Sequence, residues 1–161
     1  MTPPAEKIRV AVCDDHELFR RGVAEMLSFA GDVEIVGEAA THDEAVAVVS
    51  EHAPDVVLLD LEMPGGVMGA DEAMGRMQGL SPPPRVVVFT MHDEPGMVGR
   101  FRALGAAAYL SKSAEMDELV EAVRDAARVD AGPPAGEAGT ALAPRDAPEA
   151  RPRTGYGRRD R

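Results

Sequence analysis

The sequence predicts an α/β fold in which a five-stranded parallel sheet is covered by helices on both faces. Short runs rich in Val, Ile, Leu and Ala recur along the chain and indicate buried parallel strands. Stretches with apolar residues at helical spacing separate these runs, so strands and helices alternate. The predicted strands are residues 8–13, 34–38, 56–59, 86–89 and 107–110.

A helix is predicted after each strand. The five helices span residues 17–29, 43–51, 70–78, 94–103 and 116–127, and Gly105 is suited to end the fourth. The side chains expected to face the core are Leu18, Phe19, Val23, Met26 and Leu27 in the first helix, Met74 and Met77 in the third, and Leu119, Val120 and Val123 in the fifth. Five β–α units give a doubly wound (βα)5 sheet of flavodoxin-like order.

Five polar residues stand at or just beyond the ends of the predicted strands. They are Asp14, Asp15, Asp60, Thr90 and Lys112. The carboxyl ends of parallel strands share one edge of a sheet, where ligands bind, so these side chains are expected to converge. Taken singly, each could instead be a helix cap or a solvated surface residue. Together, following separate strands, they indicate a site.

The chemistry of these residues suits phosphoryl transfer. Three carboxylates make a hard-oxygen site for Mg²⁺. The central one, Asp60, can attack phosphorus and form an aspartyl-phosphate. The metal and Lys112 would neutralise the charge on the transferring oxygens, and Thr90 could donate a hydrogen bond to one of them. His16, beside the acidic pair, is expected to flank the site rather than bind the metal, because Mg²⁺ prefers oxygen.

Composition favours one domain without a membrane segment. The chain has 161 residues, of which 45% are hydrophobic and 4% aromatic, so the core is expected to be Val, Leu, Ala and Met. A formal net charge of −11 argues against binding of nucleic acid by this body. The single cysteine, Cys13, is expected to be a small buried residue. No apolar stretch approaches about 20 residues and no signal-peptide core is evident, so a cytoplasmic location is expected.

Motifs at five places carry a family resemblance. They are residues 14–22 (DDHELFRRG), 36–39 (VGEA), 54–64 (PDVVLLDLEMP), 90–91 (TM) and 105–114 (GAAAYLSKSA). Over about residues 7–129 the chain resembles the response-regulator receiver domain of two-component systems. It is most similar to the LuxR/NarL-type subfamily, whose receivers usually precede a helix-turn-helix output domain. The resemblance implies a sensor histidine kinase as the phosphoryl donor, Mg²⁺ as cofactor and a possible homodimer.

The resemblance also implies a role for each matching residue. Asp60 would be the phosphoacceptor, with Asp14 and Asp15 holding the metal beside it. Lys112 would contact the phosphoryl group, and Thr90 and Tyr109 would form the switch pair. Residues that border the metal site or adjust the lifetime of the phosphoryl group would be Glu62, Met63, Met91 and His92. The loop at 63–69 looks about one residue longer than the commonest form, and Ser113 stands where many receivers have proline.

Two other functions remain open on the sequence. One is a Mg²⁺-dependent phosphohydrolase of the haloacid-dehalogenase type, although that family places its nucleophile after the first strand with an Asp two residues later. Here Asp60 follows the third predicted strand, and Glu62 stands two residues on. The other is a receiver-like interaction module that works without phosphorylation. A receiver is not expected to be an enzyme, beyond its part in its own phosphorylation and slow dephosphorylation.

The chain is expected to divide into a receiver domain at 1–130 and a disordered tail at 131–161. The tail is rich in Pro, Gly, Ala and Arg and cannot bury enough apolar surface to offset its ordering entropy. Its arginine-rich end is either the start of a linker or a contact for an anionic partner. No helix-turn-helix pattern follows, so the chain is expected to be a stand-alone receiver or one separated from its output domain, and not to bind DNA itself.

Overall fold

Five strands and five helices alternate in the computed structural model, which describes residues 6–91 and 94–128. The elements are β1 Ile8–Cys13, α1 Glu17–Ser28, β2 Val33–Ala39, α2 His42–His52, β3 Val56–Leu59, α3 Ala70–Gln78, β4 Arg85–Thr90, α4 Pro95–Ala103, β5 Ala108–Ser111 and α5 Met116–Arg128. The strands pair in parallel in the order β2-β1-β3-β4-β5. The predicted doubly wound, flavodoxin-like sheet is therefore confirmed, and each predicted helix and strand ends within one residue of the observed element.

Alternation along the strands divides the apolar residues between two core layers. Val10 and Val12 of β1 pack with α1 and α5 on one face of the sheet. Ala11 and Cys13 point to the other face, under α2, α3 and α4. Burial raises the pKa of the Cys13 thiol to about 12, so the thiol stays protonated and inert near neutral pH. This agrees with the predicted structural role.

Helix α2 begins and ends at defined caps and lies close to the sheet. The Thr41 hydroxyl accepts a hydrogen bond from Glu44 N at 3.0 Å, which caps the first turn. Ala53 ends the helix in the left-handed conformation, with φ of 46°. A Cβ at Gly37 of β2 would clash with Val48 Cγ1 of α2, so glycine lets the helix lie close to this strand.

The predicted apolar face of α1 was partly wrong. Val23 and Leu27 are buried, but Leu18 is 89% exposed and Met26 is 47% exposed. At about 100° per residue, Leu18 lies roughly 140° around the helix from Val23 and points away from the sheet. Phe19, at 37% exposed, lies at the margin of the buried stripe. The predictions for the third and fifth helices are confirmed, because Met74, Met77, Leu119 and Val123 are buried and Val120 is half-buried.

Strand β5 is less buried than its apolar sequence indicates. All four of its residues are only partly buried, because β5 is an edge strand with β4 as its one neighbour. None of the helices described here is long and apolar enough to cross a membrane. The predicted tail at 131–161, and the boundary before it, lie outside the described residues.

Candidate functional site

The predicted site residues meet at the carboxyl edge of the sheet. Asp14 follows β1, Asp60 follows β3, Thr90 ends β4 and Lys112 follows β5. Asp14, Asp60 and Thr90 are at most 4% exposed. Buried carboxylates are costly unless they are paired or bind a metal, so this edge is organised around charge.

Lys112 joins two of the carboxylates. Its Nζ lies 2.6 Å from Asp14 Oδ2 and 2.8 Å from Asp60 Oδ2, and its side chain is 9% exposed. Burial alone would lower the pKa of Lys112, but hydrogen bonds and charge from Asp14 and Asp60 outweigh it and raise the pKa above its ordinary value. The ammonium therefore stays charged and holds the two acids together.

An aromatic side chain lies beside this ammonium. The centre of the Phe19 ring is 4.8 Å from Lys112 Nζ, which is within cation–π range. The same ring stacks on Phe89 of β4, with 5.8 Å between the ring centres. Phe19 thus restricts where the Lys112 ammonium can go, a role that its predicted place in the core did not suggest.

Asp15 and His16 complete an acidic cluster with Asp14. One ligand atom from each of the three residues lies within 4.8 Å of the others. His16 N donates to Asp14 Oδ1 at 2.9 Å, and His16 Nδ1 lies 3.1 Å from Asp15 Oδ1. The imidazole flanks the acidic pair, as the sequence predicted.

Whether a magnesium ion fits here depends on carboxylate oxygens that are not held by hydrogen bonds. Among the described residues, Asp15 Oδ1 is buried and accepts no hydrogen bond, and its ion-pair contact is with the His16 imidazole at 3.1 Å. This oxygen lies beside Asp14, which shares the Lys112 ammonium with Asp60, and such a group of carboxylates suits a hard cation that prefers oxygen ligands. The donor set therefore fits Mg²⁺, with Asp14, Asp15 and Asp60 as the residues that would hold it.

Arg20 supports the metal side of the site from α1. Its Nη1 donates to the backbone oxygen of Asp14 at 2.7 Å, and its Nε donates to Glu38 Oε1 at 3.0 Å. The side chain thus ties the end of β1 to α1 and to β2. Sequence reasoning assigned Arg20 no role, because a lone arginine on a helix is usually a solvated surface residue.

The loop between β3 and α3 forms one wall of the site. Asp60 Oδ1 accepts a hydrogen bond from Glu62 N at 3.1 Å, and Met63 is buried in the core. The longer stretch beyond it is docked on α2, where Asp43 Oδ2 accepts from Val67 N at 2.8 Å and from Met68 N at 3.2 Å. The Met68 and Val67 N–H groups hold the pKa of Asp43 below its ordinary value. This part of the loop is therefore held against α2 by specific hydrogen bonds.

A cleft of about 610 Å³ opens between this loop and the charged residues. Its walls include Asp15, His42, Asp60, Met91 and Lys112. The cleft gives a small phosphorylated group access to Asp60. Met91, at 67% exposed, stands at its rim. His92, the other predicted rim residue, lies outside the described residues.

Comparison with known proteins identifies the family. The model of the response regulator receiver domain matches residues 10–124. The chain belongs to the response regulator receiver domain family. The match covers β1 from Val10 onward and the other four strands in full, and it includes every residue of the predicted acid–lysine set.

The similar proteins are response regulators of the NarL and LuxR type. The chain is 42% identical over 126 residues to the transcriptional regulatory protein NarL of Mycobacterium tuberculosis, covering 78% of this chain and 57% of that protein. It is 38% identical over 117 residues to the response regulator GacA of Pseudomonas aeruginosa, covering 73% and 54%. The chain thus spans about half the length of the curated relatives it matches.

A solved structure agrees with the receiver fold. The signal receiver domain of NarL from Mycobacterium tuberculosis superposes with a TM-score of 0.71 at 43% identity, covering 76% of this chain and 97% of that one. The phosphohydrolase alternative gains no support from these comparisons. In this receiver the acid follows the third strand in chain order, as expected from the sequence.

The predicted switch pair lies on neighbouring strands of the receiver. Thr90 is fully buried, and its backbone oxygen accepts from Lys112 N at 2.9 Å. Tyr109 is half-buried on β5, whose register pairs it with Val88, two residues before Thr90. Tyr109 also lines a second cavity of about 200 Å³, together with Val98 and Arg102 of α4. Thr90 therefore lies at the carboxyl edge of the sheet beside Lys112, and Tyr109 lies next to α4.

Proposed function

We propose that this receiver accepts a phosphoryl group from the phosphohistidine of a sensor histidine kinase onto Asp60. The observation that carries the proposal is the Lys112 ammonium, which bridges Asp60 and Asp14 at 2.8 Å and 2.6 Å at the edge of an open cleft. A cation beside a buried carboxylate is arranged to receive the negative charge of a phosphoryl group.

The transfer exchanges one bond to phosphorus for another. An Asp60 carboxylate oxygen attacks phosphorus as the bond from phosphorus to the donor imidazole nitrogen breaks, and that nitrogen keeps the electron pair. Lys112 stays protonated and pairs with the incoming phosphoryl oxygens, while Asp14 and Asp15 hold the cation side of the site. Mg²⁺, when bound, would neutralise charge on the transferring oxygens. Thr90 would donate its hydroxyl hydrogen to one of them.

Partners and output follow from this role. Two-component response regulators couple phosphorylation to an output, and the similar proteins NarL and DegU, which are named as transcriptional regulatory proteins, suggest control of transcription. Since the chain spans about half of those proteins, we propose that DNA binding belongs to an output domain and not to this acidic body. We also propose that two copies of the receiver can form a homodimer. We do not propose that the chain turns over an external substrate. The residues proposed to border the metal or to adjust the rate of dephosphorylation are Glu62, Met63, Met91 and His92.

The direct test is labelling of the purified chain with acetyl phosphate and Mg²⁺. We expect a mass increase of one phosphoryl group per chain, which decays over minutes to hours and requires a divalent cation. Such stoichiometric, short-lived labelling is typical of an acyl phosphate. Continued release of inorganic phosphate from small phosphoesters, without a labelled protein, would instead identify a phosphohydrolase.

The proposed switch pair, Thr90 and Tyr109, leads to a separate prediction. Beryllofluoride with Mg²⁺, which mimics a phosphoryl group, should shift backbone NMR signals at Thr90, Tyr109 and along α4, because Thr90 moves toward the new oxygens and Tyr109 fills the space it leaves. Turning a mostly inactive ensemble mostly active needs a difference of about 5.5 kcal/mol, and less for a partial switch. A Thr90→Val variant should keep the shifts next to Asp60 and lose those at Tyr109. Wild-type shifts confined to the 60–69 loop would contradict this coupling.

A further inference from the structure

One buried histidine contacts the proposed phosphoacceptor from outside the acid–lysine set. His42, the first residue of α2, is 2% exposed, and its Nε2 lies 3.0 Å from the backbone oxygen of Asp60. A carbonyl oxygen only accepts hydrogen bonds, so Nε2 carries the proton and donates it. The His42 side chain therefore fixes the backbone of Asp60 at the point where β3 ends and the loop begins.

The other ring nitrogen shows that His42 is not an ordinary packing residue. His42 Nδ1 is buried and has no hydrogen-bond partner among the residues that the structure describes. A buried polar atom without a partner is unfavourable, and an apolar side chain of similar size would fill the space without that cost. Among the described residues, the contact that distinguishes histidine from leucine here is the hydrogen bond to the Asp60 backbone.

The next residue of α2 holds the far end of the same loop. Asp43 Oδ2 accepts from Val67 N and Met68 N, at 2.8 Å and 3.2 Å. Gly66, just before Val67, has a φ of +80°, and a Cβ there would lie against the Asp43 carboxylate. The first two residues of α2 thus fasten the loop both at Asp60 and at 66–68, and the loop between these points is a wall of the cleft.

We propose that His42 and Asp43 are positioning residues that hold the phosphoacceptor loop of this receiver closed over Asp60. His42 aligns the Asp60 carboxylate with the Lys112 ammonium through the Asp60 backbone. Asp43 keeps the longer loop against α2, which limits the access of water to the phosphorylated side chain. This inference rests on the proposed function, since it concerns the speed of labelling and the lifetime of the label.

The test compares two replacements of His42. His42→Gln places an amide N–H at a similar distance, whereas His42→Leu keeps the apolar bulk and removes the donor. Displacements of about 1 Å in reacting groups cost on the order of 100-fold in rate, so we expect His42→Leu to slow labelling by acetyl phosphate by about tenfold. It should also shorten the half-life of the label. The labelling rate and half-life of His42→Gln should stay within about twofold of those of the wild type. Ser50→Ala, which changes an exposed residue of the same helix, should match the wild type in both.

A role in stability alone makes different predictions. It predicts that His42→Leu changes the melting temperature while the kinetics of the folded protein stay those of the wild type, and that result would overturn the proposal. So would His42→Gln behaving like His42→Leu. If His42→Leu does not fold, Asp43→Ala is the second variant. It should shorten the half-life of the label, and an unchanged half-life would contradict the proposal.

Amide hydrogen exchange separates this inference from the proposed function. His42→Leu should speed exchange at Glu62 N–H, and Asp43→Ala should speed it at Val67 and Met68 N–H, because these donors lie on the loop that the two residues hold. If the wild-type protein takes no label, the proposed function fails, and exchange still decides whether α2 holds the loop. If the wild type is labelled and exchange is unchanged in both variants, only the positioning role fails.

Discussion

Asp60→Ala is expected to abolish labelling by acetyl phosphate or by a kinase. Alanine offers no oxygen to attack phosphorus, and the neighbouring acid cannot replace it, because both Asp14 oxygens are already engaged by His16 N and by the Lys112 ammonium. Intact-protein mass spectrometry at fixed Mg²⁺ measures the effect. Asp117→Ala, which removes an exposed carboxylate from the first turn of α5, is the matched control and should be labelled like the wild type.

The fold should survive the Asp60 replacement. Lys112 keeps Asp14 as a partner at 2.6 Å, and the bond from His42 goes to the backbone of residue 60 and not to the lost side chain. A melting curve close to that of the wild type would show that lost labelling reflects lost chemistry. Labelling of the alanine variant at the wild-type level would mean that another side chain is the phosphoacceptor.

The strands and the acid–lysine set were predictable because each depends on local sequence. Apolar β-branched runs define strands wherever they are buried on both faces, and the polar residue after each run must then lie at the carboxyl edge. Asp14, Asp60 and Lys112 met there as predicted. The model of the family and the solved NarL receiver support the same fold independently.

Other features depend on which elements become neighbours, and sequence periodicity does not carry that information. Leu18 looked like a core residue until the packing of α1 left it 89% exposed. The predicted second helix began at Asp43, and His42 had no predicted role; only the fold brings the two residues against the loop after Asp60. Cys13, at the end of an apolar strand, and Met74, at a helical spacing from Met77 in α3, were placed correctly.

Lys112→Met should destabilise the receiver strongly in the absence of divalent cations. The ammonium is 9% exposed, and its removal leaves Asp14 and Asp60 buried side by side without a counter-charge. Breaking a buried ion pair by removing one partner costs about 3–5 kcal/mol, or on the order of 10 °C in melting temperature for a domain of this size. Urea unfolding in the presence of a chelator measures the loss. Lys7→Met, which removes an exposed ammonium, is the control and should change stability little.

The pH dependence of that loss has a definite sign. The folded-state pKa of Lys112 is raised above its ordinary value of 10.5, so its contribution is fully present below that pH. It is lost as pH rises through the higher folded-state pKa. The stability difference between the wild type and Lys112→Met should therefore be constant from neutral pH to about 10 and shrink only above 10.5.

Mg²⁺ should partly replace the missing ammonium. A cation that binds only the native state raises the melting temperature, and it binds more tightly when no lysine competes for the same carboxylates. We therefore expect millimolar Mg²⁺ to raise the melting temperature of the wild type, and to raise that of Lys112→Met by more. Asp15→Asn should weaken both increases, because it removes one of the negative charges that would hold the cation. Equal melting curves with and without Mg²⁺ in both proteins would rule out a metal site at this edge, whatever the labelling of Asp60 shows.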